Sequence, residues 1–330
     1  MVGKASGDAA GKEGSGVSRR VPVIVGPTAT GKTGVALRLA EILGGEIISA
    51  DSRQIYRFLD VGTAKPTPAQ RELVRHHFID ELTPDVEFNA GKFGELGRRA
   101  VDQIFARGRL PIVVGGSGLY VRSLIDGLFD GPGADPEFRD ALEERIKRGG
   151  LPDLLEELRR FDPVTASRVD PTKPRRVVRA LEVVHATGRS LSALQAAAKI
   201  ELNFEPVLFG LLWEIKDLYR RIDSRCDRMV SGGLLEEAAA LDRRGYDVSL
   251  NALNTVGYKE AFASIHGEIS PVEMLSRFKQ NSRRYAKRQM TWFRRDGRIR
   301  WIRMNEQTAE GDVAELIARQ FCAITSGDEG

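Results

Sequence analysis

One short segment of the 330-residue chain has the residue types and spacing that hold a phosphate group. Residues 26–33 read GPTATGKT and fit the pattern G-x-x-x-x-G-K-[ST]. Its glycines let the backbone turn N–H groups toward one anion, and a helix that begins at the loop adds partial positive charge. Lys32 is placed to neutralise phosphate oxygens and Thr33 to reach a Mg²⁺ ion. The pattern predicts a phosphate site, but it leaves nucleotide hydrolysis, kinase chemistry and the departure of a pyrophosphate open.

Two further candidates stand where predicted strands end. Asp51 directly follows the apolar run Glu46–Ala50, at the strand end where ligands bind in α/β folds. Its carboxylate could accept a proton as a general base, hold Mg²⁺, or cap the following helix. Residues 115–118 read GGSG, in which three glycines admit close backbone approach and Ser117 offers a hydroxyl. A tight turn without a site is the alternative there.

A cationic stretch near the C-terminus is the third candidate. The chain carries a net charge of only +4, yet residues 277–303 contain eleven Lys and Arg and a single acid, Asp296. This local charge of +10 leaves −6 for the rest of the chain. Such a patch is a candidate site for phosphates or nucleic acid, and a solvated basic helix is the alternative. Ser270, Pro271 and Glu273 are typical of a helix start, and that helix is predicted to run toward Arg294.

Short apolar runs predict the strands that must position these candidates. Helical patterns lie between the runs, beginning with residues 32–43, so the fold class is α/β with a mainly parallel sheet. The predicted strands are Val21–Val25, Glu46–Ala50, Leu110–Val114, Val207–Trp213 and Ile299–Met304.

The middle of the chain has a different pattern, which divides it into predicted domains. Residues 127–136 are rich in Gly, Asp and Pro, and residues 137–198 are helical in pattern without a strand. We therefore predict a flexible tail (1–20), the first part of the α/β core (21–128), a helical insertion domain (129–200), and the completion of the core with basic C-terminal helices (201–330).

Composition excludes several other classes. Hydrophobic residues make up 42% and charged residues 29% of the chain, as in ordinary globular proteins, and no apolar run is long enough to cross a membrane. Two cysteines and four histidines leave little material for disulfides or a zinc site, which favours a reducing, cytoplasmic location. His76 and His77 point to opposite faces of an extended segment, so we interpret them as structural. We expect a monomer.

Six blocks of sequence, in order, resemble the bacterial tRNA dimethylallyltransferase (tRNA isopentenyltransferase) family. The resemblance covers roughly residues 21–302, and its most specific parts are the second and the last block. It implies a P-loop NTPase-like parallel sheet core with a helical insertion. The blocks are GPTATGKT, ISADSRQIYRFLDVGTAKP, GGSGLYVRSLIDGL, RRVVRALEVVHATGRSLS, TVGYKEA and YAKRQMTWFRR.

The resemblance implies a reaction and a set of site residues. A dimethylallyl group would pass from dimethylallyl diphosphate to N6 of adenosine 37, in the anticodon stem-loop of tRNAs that read codons beginning with U, giving N6-(dimethylallyl)adenosine and diphosphate. Asp51 would be the base, assisted by Lys32, Thr33, Ser117 and Arg225, and Mg²⁺ would be held by Thr33, with Asp51 able to reach it through a water. The diphosphate would lie on Gly26, Pro27, Thr28, Ala29, Thr30, Gly31, Lys32 and Thr33, with Arg221 or Arg225 as a clamp. Residues implied to touch tRNA are Asp51, Ser52, Arg53, Gln54, Ser117, Arg139, Arg175, Arg176, Arg179, Gly257, Tyr258, Lys259, Arg283, Lys287, Arg288, Gln289, Trp292 and Arg294.

Two departures from the family pattern and three alternative functions accompany this reading. Ser117 stands where the family usually has Thr, and the segment Leu211–Lys216 is atypical. The alternatives are an isopentenyltransferase that acts on free adenine nucleotides, a P-loop small-molecule kinase, and a non-catalytic nucleotide-gated tRNA-binding protein. The basic helix and the helical insertion favour tRNA over a mononucleotide as the acceptor.

Overall fold

A six-stranded parallel sheet carries the fold in the computed structural model, which describes residues 19–128, 135–197 and 200–326. The strand order is β3-β2-β4-β1-β5-β6. The strands are β1 (Arg20–Val25), β2 (Gly45–Ser49), β3 (His76–His77), β4 (Leu110–Gly115), β5 (Glu205–Trp213) and β6 (Arg300–Met304). Five of the six residues of β1 are buried, as expected for a central strand that has helices on both faces.

All five predicted strands form, and each bound lies within two residues of its prediction. The prediction missed β3, which has only two residues and no apolar run. Its histidines pair in parallel with Ile47 and Ile48 of β2. The described residues therefore form six strands rather than five.

Helices cover most of the remaining described residues. Two predictions are confirmed: α1 spans Lys32–Leu43, and the long basic helix α13 begins at Pro271, where the hydroxyl of Ser270 accepts a hydrogen bond from the backbone N–H of Glu273 (3.2 Å). The others are α2 (Pro68–Leu73), α3 (Ala90–Ala106), α4 (Gly118–Asp126), α5 (Pro136–Lys147), α6 (Leu151–Phe161), α7 (Pro163–Arg168), α8 (Pro174–Thr187), α9 (Leu191–Ala197), α10 (Ile215–Ser231), α11 (Leu234–Asp242), α12 (Tyr258–Ile265) and α14 (Glu310–Ser326); α13 ends at Phe293.

The predicted helical segment forms its own apolar cluster. Helices α5 to α9 follow one another without a strand among residues 135–197. Leu142, Leu154, Leu158, Val177 and Leu181 are buried together, apart from the main cluster that surrounds the sheet. The domain boundaries at residues 128 and 200 stay predictions. Most of the predicted tail (1–18), part of the breaker-rich segment (129–134) and residues 198–199 and 327–330 lie outside the described residues.

The strand order brings three candidate loops to one edge of the sheet. Strand β4 lies between β1 and β2, so the carboxyl ends of these three neighbours are side by side. Residues 26–33 follow β1, residues 51–54 follow β2, and residues 116–118 follow β4. Parallel α/β sheets bind their ligands at this edge.

None of the helices in the described ranges is long and apolar enough to span a membrane.

Candidate active site

The loop of residues 26–33 is held in a curved conformation by its own side chains. Ala29 and Gly31 have positive φ angles of 66° and 91°, and the Gly31 carbonyl accepts the first backbone bond of α1, from Val35. Thr30 is fully buried, and its hydroxyl donates to the Pro27 carbonyl (3.0 Å). The Lys32 ammonium donates to the same carbonyl (2.6 Å). The loop therefore wraps around the start of α1, whose free N–H groups form an anion site.

Two side chains from the atypical segment and from α10 brace the outside of this loop. The Trp213 indole N–H donates to the Thr30 carbonyl (3.2 Å), and Arg221 donates through Nε to the Ala29 carbonyl (2.9 Å). The Arg221 guanidinium also lies 4.2 Å from the centre of the Trp213 ring, a cation–π contact. Arg225 lines the cavity beside the loop, and both arginines line a second cavity over residues 29–34. Either arginine can therefore serve as the diphosphate clamp, and Arg221 braces the loop as well.

Two half-buried cations, Lys32 and Arg225, line the same cavity. Burial and the positive charge of Arg225 lower the pKa of Lys32, Asp51 opposes both effects, and the net pKa is about 7. Burial likewise lowers the pKa of Arg225, again against the attraction of Asp51. An anion bound between the two cations would relieve their repulsion, so the electrostatics of the cavity favour a diphosphate.

Asp51 presents one carboxylate oxygen while the other is used locally. Its Oδ1 accepts hydrogen bonds from the backbone N–H groups of Arg53 (2.8 Å) and Gln54 (3.4 Å). Among the described residues Oδ2 has no hydrogen-bond partner, and the side chain lines the cavity. The helix-cap alternative is wrong, because the residues after Asp51 form a turn and the next helix begins only at Pro68. Oδ1 closes this turn, which leaves Oδ2 for the other two roles.

Gln54 uses its amide to hold the next loop. Its Oε1 accepts from the Ser49 hydroxyl (3.0 Å), and its Nε2 donates to the carbonyls of Thr63 and Ala64 (3.4 Å each). Ser52 and Arg53 are half-buried in the turn after Asp51, and Arg53 lines the cavity.

Sequence reasoning missed the carboxylate that positions residues 60–62. Glu237 of α11 accepts hydrogen bonds from the backbone N–H groups of Asp60, Val61 and Gly62 (2.8 to 3.0 Å) and from the Tyr258 hydroxyl (2.5 Å). A Cβ at Gly62 would lie 2.6 Å from the Tyr258 ring, which explains the glycine. No spacing in the sequence links Glu237 to this loop, since the two are about 175 residues apart.

Helix α13 joins the loop after β1 to the loop after β4. Gln289, which is 7% exposed, accepts from the Thr28 N–H (2.9 Å) and donates to the Gly116 carbonyl (2.8 Å). A Cβ at Gly118 would lie 2.1 Å from Cδ1 of Trp292, so a residue without a side chain is required there. Ser117 is half-buried at the start of α4, and its side chain makes no capping hydrogen bond.

A cavity of about 150 Å³ connects these loops. One part of its wall is polar, with Lys32, Thr33, Asp51 and Arg225, and Tyr285 of α13 also reaches it. Burial, reinforced by Asp51, raises the pKa of Tyr285 to about 12, so its phenol stays neutral near pH 7. The rest of the wall includes the apolar side chains of Ala36, Ile47, Ile222, Met229, Val256 and Phe278.

The sequence contains a signal for Tyr285 that the prediction did not use. Phe278, Ser282, Tyr285 and Gln289 recur at helical spacing, and all four line the cavity. The stripe shows which face of α13 turns toward the sheet.

Apart from Asp51, Ser52, Arg53, Gln54 and Ser117, the residues predicted to touch tRNA fall into two groups. Several are engaged inside the protein: Tyr258 is fully buried against Glu237, Gly257 and Gln289 are buried, Arg283 pairs with Asp223 (2.7 Å), and Arg139 and Arg179 share the buried Glu182. A direct side-chain contact between Tyr258 and tRNA does not fit this position. The exposed group is Arg175, Arg176, Lys259, Lys287, Arg288, Trp292 and Arg294.

The oxygen atoms available in the cavity suit a hard metal cation that keeps several of its bound waters. Thr33 and Asp51 supply oxygens to the same cavity, and a diphosphate would supply more, which is how Mg²⁺ is commonly held. Within the described residues no group of three or more His, Cys, Asp or Glu could form a metal site without a substrate. Mg²⁺ stays a prediction.

The fold and the cavity define an α/β protein with a phosphate-binding loop at the edge of a parallel sheet, and comparison with known proteins gives the family. The sequence profile described as IPP transferase matches residues 54–296. A tRNA dimethylallyltransferase from Geobacter metallireducens is 46% identical over 284 residues, which is 86% of this chain and 92% of that protein. One from Pelotomaculum thermopropionicum is 44% identical over 92% of this chain and 96% of its own length.

Solved structures agree with this assignment. The full-length tRNA isopentenylpyrophosphate transferase from Bacillus halodurans superposes with a TM-score of 0.69 at 37% identity, covering 94% of this chain and 97% of its own. A eukaryotic dimethylallyltransferase acting on tRNA has the same TM-score at 26% identity, over 94% of this chain and 79% of its own. The chain belongs to the IPP transferase family. The resemblance identified in the sequence is thereby confirmed.

Proposed function

We propose that this protein transfers the dimethylallyl group of dimethylallyl diphosphate to N6 of adenosine 37 in tRNAs that read codons beginning with U. One observation carries the proposal: a single cavity brings together the phosphate loop, the Asp51 carboxylate and apolar side chains that can contact a five-carbon group. The names of the relatives support the transferase class and the tRNA acceptor. The adenosine position and the codon class rest on the resemblance of the motifs.

The donor end of the cavity stabilises the leaving group. The C1–O bond of the allylic diphosphate breaks with its electron pair on the diphosphate, so negative charge grows at the loop. The N–H groups of the loop, Lys32 and Arg225 stabilise that charge more in the transition state than in the ground state. Thr33, with Asp51 through a water, would hold a Mg²⁺ ion, which when bound supplies further positive charge to the leaving diphosphate.

The acceptor end requires a base. As N6 of adenine bonds to C1, the amine becomes acidic and must lose one proton. Oδ2 of Asp51 can accept that proton while Oδ1 stays bonded to the turn. A base of this kind contributes a rate factor of roughly 10²–10⁴.

The RNA would lie over the exposed face of α13. Lys287, Arg288 and Arg294 are exposed there and, among the described residues, form no ion pair with a carboxylate. They can grip backbone phosphates while a base of the anticodon loop leaves its stack and enters the cavity. A cytoplasmic location and a monomeric enzyme stay predictions.

Product analysis tests the proposal and separates it from its alternatives. The protein is incubated with labelled dimethylallyl diphosphate and unmodified tRNA, and in parallel with AMP, and with γ-labelled ATP and pooled metabolites. We expect an anticodon-loop nucleoside with the mass of adenosine plus C₅H₈, found only with the allylic donor. Comparable turnover of AMP would indicate the mononucleotide enzyme, and label transferred only from ATP would indicate a kinase.

A further inference from the structure

Tyr285 of α13 brings to the reaction cavity a hydroxyl that has no role in the steps proposed above. The residue as a whole is 36% exposed, yet burial is the largest cause of its raised pKa, so the exposed part of the residue is not the hydroxyl. Among the described residues the hydroxyl has no hydrogen-bond partner, and charges alone act on it besides burial. With a pKa of about 12 the phenol is a neutral donor.

Contacts one turn away on either side fix the position of Tyr285. Gln289 donates to the Gly116 carbonyl (2.8 Å), in the loop after β4, and the Ser282 hydroxyl lies 3.5 Å from the Cys226 sulfur of α10. Both flanking residues line the cavity together with Tyr285. The phenol therefore stands at the wall of the cavity between the end of β4 and α10.

Asp51 is the charged residue with the largest effect on the Tyr285 hydroxyl. Both side chains line the cavity, where Oδ2 of Asp51 is an acceptor and the phenol is a donor, each without a partner among the described residues. Adenine has the complementary pattern, because its N6 amine donates and the ring nitrogens on either side, N1 and N7, accept. An adenine whose amine meets Asp51 thus leaves an acceptor beside it for a neighbouring donor.

Resting on the proposed transferase activity, we propose that the Tyr285 hydroxyl donates a hydrogen bond to a ring nitrogen beside N6, either N1 or N7, and so orients the acceptor adenine. The phenol keeps its proton throughout, while the N6 proton passes to Asp51. An acceptor base without that ring nitrogen leaves the phenol unpaired, so Tyr285 determines which bases react well.

Analogues of the acceptor base test the proposal. Synthetic tRNAs with adenosine, 1-deazaadenosine or 7-deazaadenosine at position 37 are given to the wild type and to Tyr285→Phe, and kcat/KM is measured for each. We expect Tyr285→Phe to lose about tenfold with adenosine, the worth of one ordinary hydrogen bond. One of the two analogues should lose about tenfold in the wild type and lose no more in Tyr285→Phe, which identifies the nitrogen.

Three results would overturn the role of Tyr285 while the proposed function stands. They are wild-type activity of Tyr285→Phe with adenosine, an equal effect of Tyr285→Phe on all three acceptors, and full wild-type activity with both analogues. The last result needs no variant, so it counts even if Tyr285→Phe fails to fold. If the wild type forms no product with adenosine, the proposed function itself fails.

Two controls assign the effect to the hydroxyl and to the acceptor. Tyr285→Phe keeps the ring, whose centre lies 5.6 Å from the Arg288 guanidinium. The matched variant is Tyr219→Phe in α10, whose ring lies 6.0 Å from the Arg283 guanidinium and which does not line the cavity; its kcat/KM with adenosine should stay at the wild-type value. Dimethylallyl diphosphate should bind Tyr285→Phe with the wild-type dissociation constant, and a tenfold weaker constant would place Tyr285 on the donor side and overturn the inference.

Discussion

The pKa of Lys32 predicts that diphosphate binding weakens as the pH rises above neutrality. In the free protein, burial, the nearby Arg225 and the opposing Asp51 together place this pKa at about 7, below the ordinary value of 10.5. A diphosphate binds best when Lys32 is protonated, and its negative charge restores the proton in the complex. Affinity should therefore fall as the free protein loses the proton.

The size of the effect follows from the titration. Half of Lys32 is protonated at pH 7 if its pKa is about 7, and roughly one in a hundred at pH 9. If the lysine stays charged in the complex, the dissociation constant rises about 50-fold between these pH values. Ionisation of the ligand makes it more negative at high pH, so it acts in the opposite direction. Tyr285, with its pKa at about 12, does not titrate in this range.

Calorimetry at constant ionic strength measures this dependence. Dimethylallyl diphosphate is titrated into the protein at several pH values from 7 to 9. In the Lys32→Arg variant the side chain stays charged, so the curve should be nearly flat. Lys216→Arg, an exposed lysine of α10, is the control and should keep the wild-type curve. A wild-type change smaller than about fivefold, or an equally steep curve for Lys32→Arg, would refute the reasoning.

The lowered pKa of Lys32 also makes the stability of the fold depend on pH. A lysine whose folded pKa lies below its unfolded value penalises the fold at low pH, and the penalty disappears as the pH rises from about 7 to 10.5. Lys32→Met should therefore be more stable than the wild type at pH 6, by about 5 kcal/mol at most. Thermal unfolding across this pH range should show the difference shrinking. A variant less stable than the wild type at pH 6 would contradict the sign.

Three further predictions concern other parts of the site. Asp51→Asn should lower kcat by roughly 10²–10⁴ and leave the dissociation constant for tRNA nearly unchanged; near-normal turnover in single-turnover assays would exclude it as the base. Neutralising Lys287 and Arg288 should weaken tRNA binding and reduce its salt dependence by about one unit of slope per contact, with diphosphate binding intact. Changing Arg283 should have a smaller effect, because that side chain already pairs with Asp223. Glu237→Gln should lower the free energy of unfolding by about 2 kcal/mol in urea titrations, because a charged acceptor of three N–H groups becomes a neutral one; an unchanged midpoint would contradict this.

The strands and the phosphate loop could be predicted because each is encoded locally. Central parallel strands are buried on both faces, which produces continuous apolar runs such as that of β1, and the glycine and lysine spacing of residues 26–33 belongs to one turn. Strand β3 has no such signal. Two histidines form a strand only because the edge of β2 is available to pair with them. Pairing of this kind is a property of the fold and not of the segment.

The supporting residues of the site could not be predicted for a related reason. Glu237 holds a loop some 175 residues away, and Gln289 bonds two loops that are 261 and 173 residues away. Either residue, considered alone, is an ordinary polar residue of a helix. Long-range hydrogen bonds leave no periodic pattern in the sequence. The stripe of α13 residues that faces the cavity does leave such a pattern. Only the face of that helix could therefore be inferred from the sequence.

Under the proposed function, helix α13 links the two substrates, because it borders the cavity and also carries exposed cations. Tyr285 and Gln289 line the cavity, and Lys287 is exposed on the opposite side of the helix. The exposed Arg288 lies between these two sides, with its guanidinium 5.6 Å from the centre of the Tyr285 ring. Gln289 accepts a hydrogen bond from the Thr28 N–H, so the position of this helix helps to set the position of the phosphate loop. RNA bound to the exposed residues of α13 would contact the same rigid helix whose Gln289 contacts the phosphate loop. Under the proposed function we therefore expect RNA binding to this helix to affect the position of the phosphate loop through Gln289.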